Sequence, residues 1–100
     1  MKEINAAQLA EKITAKEEMT LIDVREAEEV AYGMIPGSIH IPLGSLPMQL
    51  SKLSKHIPYI IICRSGSRSG LVAQMMESNG YDATNYVDGI IGWTGETVTP

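Results

Sequence analysis

Unbroken apolar runs and stripes of apolar residues spaced by three and four alternate along this chain. The runs suit strands buried on both faces, and the spaced stripes suit helices that cover a sheet. Tyr59 to Ile62 is the clearest run, and it leads without interruption into Cys63. Thr20 to Val24 predicts a second buried strand and Lys2 to Ile4 a short edge strand. A last strand is expected at Asn85 to Val87, entered through Tyr81 to Thr84. Ile39 and Ile41 alternate with Ser38 and His40, the period of a short half-buried strand. Between the strands, Asn5 followed by Gln8 is a capping-box start, with Leu9 and Ile13 turned inward from the helix behind it. Glu26 to Tyr32 reads as a short helix stopped by Gly33, ahead of a turn at Ile35-Pro36-Gly37. Leu43, Leu46, Leu50 and Leu53, with Pro47 early, read as one helix laid over the sheet. Leu71, Val72, Met75 and Met76 give another helix its buried side, and Asn79-Gly80 stops it. Asp88-Gly89 then turns the chain into a short helix around Trp93, a residue expected to seal the core. The alternation predicts one α/β domain over residues 1–100, a small doubly wound open sheet of about five mostly parallel strands flanked by helices.

One join in this pattern carries chemistry. The strand at Tyr59 to Ile62 hands Cys63, the only cysteine, to Arg64-Ser65-Gly66-Ser67-Arg68-Ser69, which opens the next helix. Peptide N–H groups of such a loop, with the unpaired N–H groups of the helix behind it, face inward and form an anion-binding concavity. That field and the two arginines favour the thiolate, so Cys63 is expected to titrate below an ordinary cysteine and to act as a nucleophile. Taken by itself, a cysteine closing an isoleucine run is more simply a small buried hydrophobe. A structural cysteine has no use for two arginines with serines and a glycine between them, and the electropositive loop shifts the balance to chemistry. Cys63 is therefore the candidate catalytic residue, and Arg64, Ser65, Gly66, Ser67 and Arg68 are the candidate substrate-binding set. Gly66 permits a backbone angle that other residues resist, and Ser65 and Ser67 can add hydroxyl donors. Arg68 is placed to orient or bind an anion, while Arg64 either touches that anion or steers it from solvent.

The remaining chemistry is sparse. His40 is the nearer histidine to the expected crevice but lacks an acid or asparagine partner in a papain-type arrangement, so it reads as a hydrogen-bonded structural residue. His56 reads as solvated. Two histidines and one cysteine offer no zinc spacing, so no metal and no cofactor are expected.

Composition narrows the classes further. With 44% apolar and 20% charged residues, 100 residues are enough for one core, built on Ile, Leu, Val and Met because phenylalanine is absent. A net charge of −4 with no basic stripe argues against nucleic-acid binding, and the loop arginines are a local exception. The longest apolar run, Tyr59 to Cys63, is far short of a membrane span. A lone cysteine and a start without an apolar leader set the expected location as the cytoplasm.

Four stretches in register resemble the rhodanese-like family of single-domain sulfurtransferases: Leu21-Ile22-Asp23-Val24-Arg25, the run from Gly33 to Pro42, the loop from Cys63 to Ser69, and Asp88-Gly89-Ile90-Ile91-Gly92-Trp93. Met34 and Asp88 stand where the family commonly has histidine and glycine. The resemblance implies transfer of a sulfane sulfur from thiosulfate or a persulfide to a thiol or cyanide through a persulfide on Cys63. It leaves a protein partner in a sulfur relay open. It also sets Asp23 and Arg25 near the active loop, where a supporting role and a purely structural one stand level. The runner-up is a cysteine-dependent phosphatase or arsenate reductase, which shares the thiolate, the loop amides and the terminal arginine. Four residues separate Cys63 from Arg68, one fewer than in the related cell-cycle phosphatases, and no carboxylate offers itself as general acid. A non-catalytic rhodanese-like binding or regulatory module is the third reading, disfavoured by the retained thiol and arginines.

Overall fold

The computed structural model describes residues 1–100. Five strands, β1 (Lys2–Ile4), β2 (Thr20–Asp23), β3 (Ile39–His40), β4 (Tyr59–Ile62) and β5 (Ala83–Tyr86), form one sheet in the order β1-β5-β4-β2-β3. Every pairing is parallel, so the expected "mostly parallel" sheet is wholly so. Parallel neighbours need crossovers, and α1 (Ala6–Thr14), α2 (Ala27–Val30), α3 (Leu46–Gln49) and α4 (Ser67–Ser78) lie in them.

The isoleucine run is explained by this placement. Successive strand residues point to opposite faces, and β4 is buried on both. Tyr59, Ile61 and the following Cys63 join one apolar cluster with Leu46, Val72, Ala73 and Met76 from α3 and α4. Ile60 and Ile62 join another with Leu9 of α1 and Tyr86 of β5. Each fully buried isoleucine contributes roughly 1.5–3 kcal/mol, so β4 is the element that both layers grip.

The helix starts follow local chemistry. Asn5 Oδ1 accepts from the Gln8 N–H at 2.9 Å, and Gln8 Oε1 accepts from the Asn5 N–H at 2.8 Å, so the capping box forms as expected. Asp88 Oδ2 accepts from the Ala6 N–H at 2.7 Å, which ties the far end of the chain to the start of α1. Leu9 is fully buried and Ile13 packs against the same cluster. Asn79 and Gly80, the latter at φ +88°, end α4.

Several expectations shift. The leucine stripe does face the core, with Leu46 fully buried and Leu43, Leu50 and Leu53 packed around it. Its backbone is not one helix but a 3₁₀ turn (Leu43–Ser45), α3, and a second 3₁₀ turn (Leu50–Lys52). Pro42, Gly44 and Pro47 crowd this segment and weaken a continuous α-helical ladder. On α4 the buried stripe is Ser69, Val72, Ala73 and Met76, and Leu71 is 66% exposed. At roughly 100° per residue, position 71 falls on the side opposite 69, 72, 73 and 76. β5 begins two residues earlier than expected, because Ala83 and Thr84 are buried as well, the latter despite its polarity. β3 is a two-residue edge strand with Ile39 left 42% exposed. α2 is shorter than predicted, with Glu26 as its N-cap. Trp93 does seal the core, meeting the Tyr86 ring edge-on at 6.3 Å. No helix is long and apolar enough to cross a membrane.

Candidate active site

Cys63 follows β4 directly, at the carboxyl edge of the sheet where a parallel fold gathers its ligand-binding loops. The backbone around it is clamped from both sides. The Val24 N–H donates to Ile62 O at 2.9 Å, the Ile90 N–H to Cys63 O at 3.0 Å, and the Ile91 N–H to Arg64 O at 3.2 Å. Gly66 takes φ +94°, and a Cβ there would collide with the Val87 carbonyl. Gly89 takes φ +65°, and a Cβ there would collide with the Arg64 carbonyl. Two glycines thus let the loop and the segment behind it nest together, and the left-handed turn at Gly66 starts α4 beneath the sulfur.

The sulfur sits on the floor of this turn. The Gly66 N–H donates to Cys63 Sγ at 3.1 Å, and Ser69 Oγ lies 3.2 Å from the same atom. Ser69 Oγ in turn donates to Asn85 Oδ1 at 2.6 Å, and Asn85 Nδ2 donates to Gly66 O at 3.1 Å. Strand β5 therefore holds both the serine and the turn. Burial pushes the Cys63 thiol up, but the Ser69 hydroxyl and the peptide N–H groups of Ser69, Ser65 and Gly66 outweigh it, and the thiol lies below its ordinary value. The direction matches the expectation, whereas the cause is hydrogen bonding rather than the arginines. Cys63 is 1% exposed, so the loop covers all but a trace of it.

The two loop arginines part ways. Arg64 is exposed and lines a groove of about 370 Å³ with Arg25, Glu28, Glu29, Tyr32, Ile90 and Ile91. Arg68 reaches to α2, where its guanidinium meets Glu29 in a two-pronged pair at 2.7 and 2.8 Å. This bond holds the Glu29 carboxyl at about 2 and raises Arg68. Arg68 was expected to bind an anion, and its fork is filled by the protein's own carboxylate. Ser65 and Ser67 are exposed, and the hydroxyl that reaches sulfur is that of Ser69.

Asp23 and Arg25 are buried and stand one strand over from the loop. Arg25 Nη2 donates to Asp23 Oδ2 at 2.8 Å and to Gly33 O at 2.7 Å, and Nη1 donates to Glu29 O at 3.3 Å. The pair therefore pins the end of α2 to β2, and α2 carries Glu29. His40 Nε2 lies 2.7 Å from Arg25 O, the hydrogen-bonded structural place expected of it. A larger cleft of about 630 Å³ runs past Pro47, Leu50, His56 and Tyr81, away from all of these residues.

Residues 5–96 match the family model described as "Rhodanese-like domain". The chain belongs to the rhodanese-like domain family. Among rhodanese-like relatives, the Bacillus subtilis protein named "Putative sulfurtransferase YtwF" is 48% identical over 97 residues, covering 97% of this chain and 94% of that one. Another, "Putative sulfur carrier protein YrkF" of the same organism, is 38% identical and covers 95% of this chain but 52% of its own length. The crystal structure of a rhodanese-like domain protein from Staphylococcus aureus superposes with a TM-score of 0.93 at 35% identity, covering 100% of this chain and 99% of that one.

Three residues of this rhodanese-like site were not singled out from the sequence: Ser69 as the hydroxyl on sulfur, Asn85 and Glu29. A serine on the buried stripe of α4 and an asparagine inside a buried strand are the signals that point to the first two. Glu29 lies 39 residues from Arg68, and no local pattern links them.

Proposed function

We propose that the protein is a sulfurtransferase in which Cys63 carries the transferred sulfur as a persulfide. The observation that carries this reading is the sulfur cradled by the Gly66 N–H at 3.1 Å and by Ser69 Oγ at 3.2 Å. The Cys63 thiolate attacks the outer sulfur of a donor such as thiosulfate. The new S–S bond forms as the old one breaks, and sulfite leaves with the bonding pair. Negative charge passes from Sγ to the transferred sulfur, and the donors fixed on Sγ hold the attacking thiolate in place without reorganising. An acceptor thiol or cyanide then attacks that sulfur and restores the thiolate. Because the loop leaves so little of Cys63 uncovered, the donor must present a single protruding atom. Arg64 steers the anion from the groove, and the buried Asp23–Arg25 pair supports the loop indirectly by fixing α2.

The relatives named "Putative sulfurtransferase YtwF" and "Putative sulfur carrier protein YrkF" agree with this activity and with a place in a relay between proteins. A free thiol doing this work calls for a reducing compartment, and we assign the cytoplasm. A phosphatase needs its terminal arginine free for phosphate oxygens, and here Arg68 is forked on Glu29. The test is mass spectrometry after incubation with thiosulfate: Cys63 gains one sulfur, cyanide removes it as thiocyanate, and Cys63→Ser gains none. Sulfur transfer that survives in the Cys63→Ser protein would overturn the proposal.

A further inference from the structure

The groove beside the cradle is electrically balanced although the loop itself is basic. It is lined by two arginines, Arg25 and Arg64, and two glutamates, Glu28 and Glu29. Arg25 is spent on the buried Asp23, and Arg68 is spent on Glu29. The Glu29 carboxylate is 28% exposed and the Arg68 side chain 32%, so both ends of that pair border solvent rather than the core. The charge of the Cys63 thiolate helps to raise Arg68, so the pair lies within electrostatic reach of the reacting sulfur. Arg64 is left as the one loop cation without a carboxylate partner. A dianion approaching a thiolate therefore finds its counter-charge already neutralised.

We propose that Glu29 sets donor selectivity: by occupying the Arg68 guanidinium it disfavours dianionic donors such as thiosulfate and leaves singly charged or neutral hydropersulfides, R–S–SH, as the preferred class. This deepens the sulfurtransferase reading and rests on it. With such a donor the Cys63 thiolate attacks the terminal sulfur, the donor S–S bond breaks, and the thiolate R–S⁻ leaves with the electron pair. The proton stays on the transferred sulfur, so atoms and charge balance with no further reactant. Glu29 is a specificity-determining residue that acts through Arg68 and takes no part in bond making.

The experiment measures second-order rate constants for sulfur loading of Cys63 by thiosulfate and by the hydropersulfide of β-mercaptoethanol, read by mass spectrometry at neutral pH. In Glu29→Gln the ratio of thiosulfate to hydropersulfide loading rises about tenfold, because a unit negative charge bordering the groove is removed and Arg68 is released. In Arg68→Ala, where Glu29 loses its partner, the same ratio falls. A pair that only held the loop to α2 would slow both variants alike with both donors, and that outcome overturns the proposal. The unaltered protein gives a separate check that does not depend on how the variants fold. Its thiosulfate loading depends only weakly on ionic strength, as the single free cation Arg64 allows, whereas a steep fall would reveal a second unneutralised cation beside it and sink the idea. Loading with an unchanged donor ratio in Glu29→Gln overturns this inference alone. No sulfur gain from either donor in the unaltered protein overturns the sulfurtransferase reading beneath it.

Discussion

Ser69 has one hydroxyl hydrogen and two acceptors within reach. Asn85 Oδ1 lies 2.6 Å from Ser69 Oγ, and Cys63 Sγ lies 3.2 Å from it. While Cys63 is a thiol, its S–H can point to Ser69 Oγ and the hydroxyl can keep its bond to Asn85. Once the thiolate forms, the hydroxyl is worth more turned to sulfur, because a charged acceptor makes the stronger bond. Asn85 keeps its grip on the loop through Gly66 O in either state. Ser69 thus helps decide how readily the nucleophile ionises without touching a substrate. Replacing Ser69 by Ala removes a donor from the charged form only, so the thiol moves up and the thiolate fraction at neutral pH falls. Alkylation of Cys63 by iodoacetamide is expected to slow by roughly threefold or more at pH 7, with its rate profile displaced to higher pH. Ser69→Thr, which keeps the hydroxyl, is expected to restore the profile. An unchanged profile in Ser69→Ala would mean that the peptide N–H groups act alone.

The turn from β4 into α4 is the element that converts a strand end into an anion site, and it depends on Gly66. An alanine there meets two obstacles, a left-handed φ of +94° and the carbonyl of Val87. Relieving either one rotates the peptide and turns the 66 N–H away from sulfur. Gly66→Ala is expected to cost about 1–3 kcal/mol of stability and to abolish persulfide loading even at temperatures where circular dichroism shows the fold intact. Loading that merely tracked the lost stability would show that the turn's geometry is dispensable. This turn was legible in the sequence because its cues are local: an apolar run, a cysteine, a glycine three residues on and a helical stripe beyond. The capping box at Asn5 and Gln8 was legible for the same reason. The leucine segment was half legible, since spacing revealed which side faces the core but not that Pro42, Gly44 and Pro47 would break the ladder. Pairings across long separations were not legible at all. In the sequence Glu29 is one of several acidic residues after Arg25, and only the packing of α2 beside the loop brings it to Arg68. The start of β5 was missed because buried Thr84 looks like a surface residue until β1 and β4 are seen on either side of it.

At the scale of the molecule, β4 feeds two apolar layers, and the active loop depends on both. Ile61 and Cys63 pack with Leu46 on one face, and Ile60 and Ile62 pack with Leu9 on the other. A rigid cradle requires that the strand beneath it not loosen on either side. The faces should therefore melt together, and the chain carries its own reporter of whether they do. The single tryptophan, Trp93, packs with Tyr86 on the Leu9 face. Leu9→Ala and Leu46→Ala each remove a fully buried leucine, at an expected cost of about 2–5 kcal/mol. If the sheet couples its two layers, urea unfolding followed by Trp93 fluorescence and by far-ultraviolet circular dichroism gives coincident transitions in both variants. Leu46→Ala is the telling case, because its cavity lies across the sheet from the reporter. A fluorescence midpoint that stays at the value of the unaltered protein in Leu46→Ala, while the circular dichroism midpoint falls, would show that the layers unfold separately and that residues 1–100 do not behave as one cooperative domain.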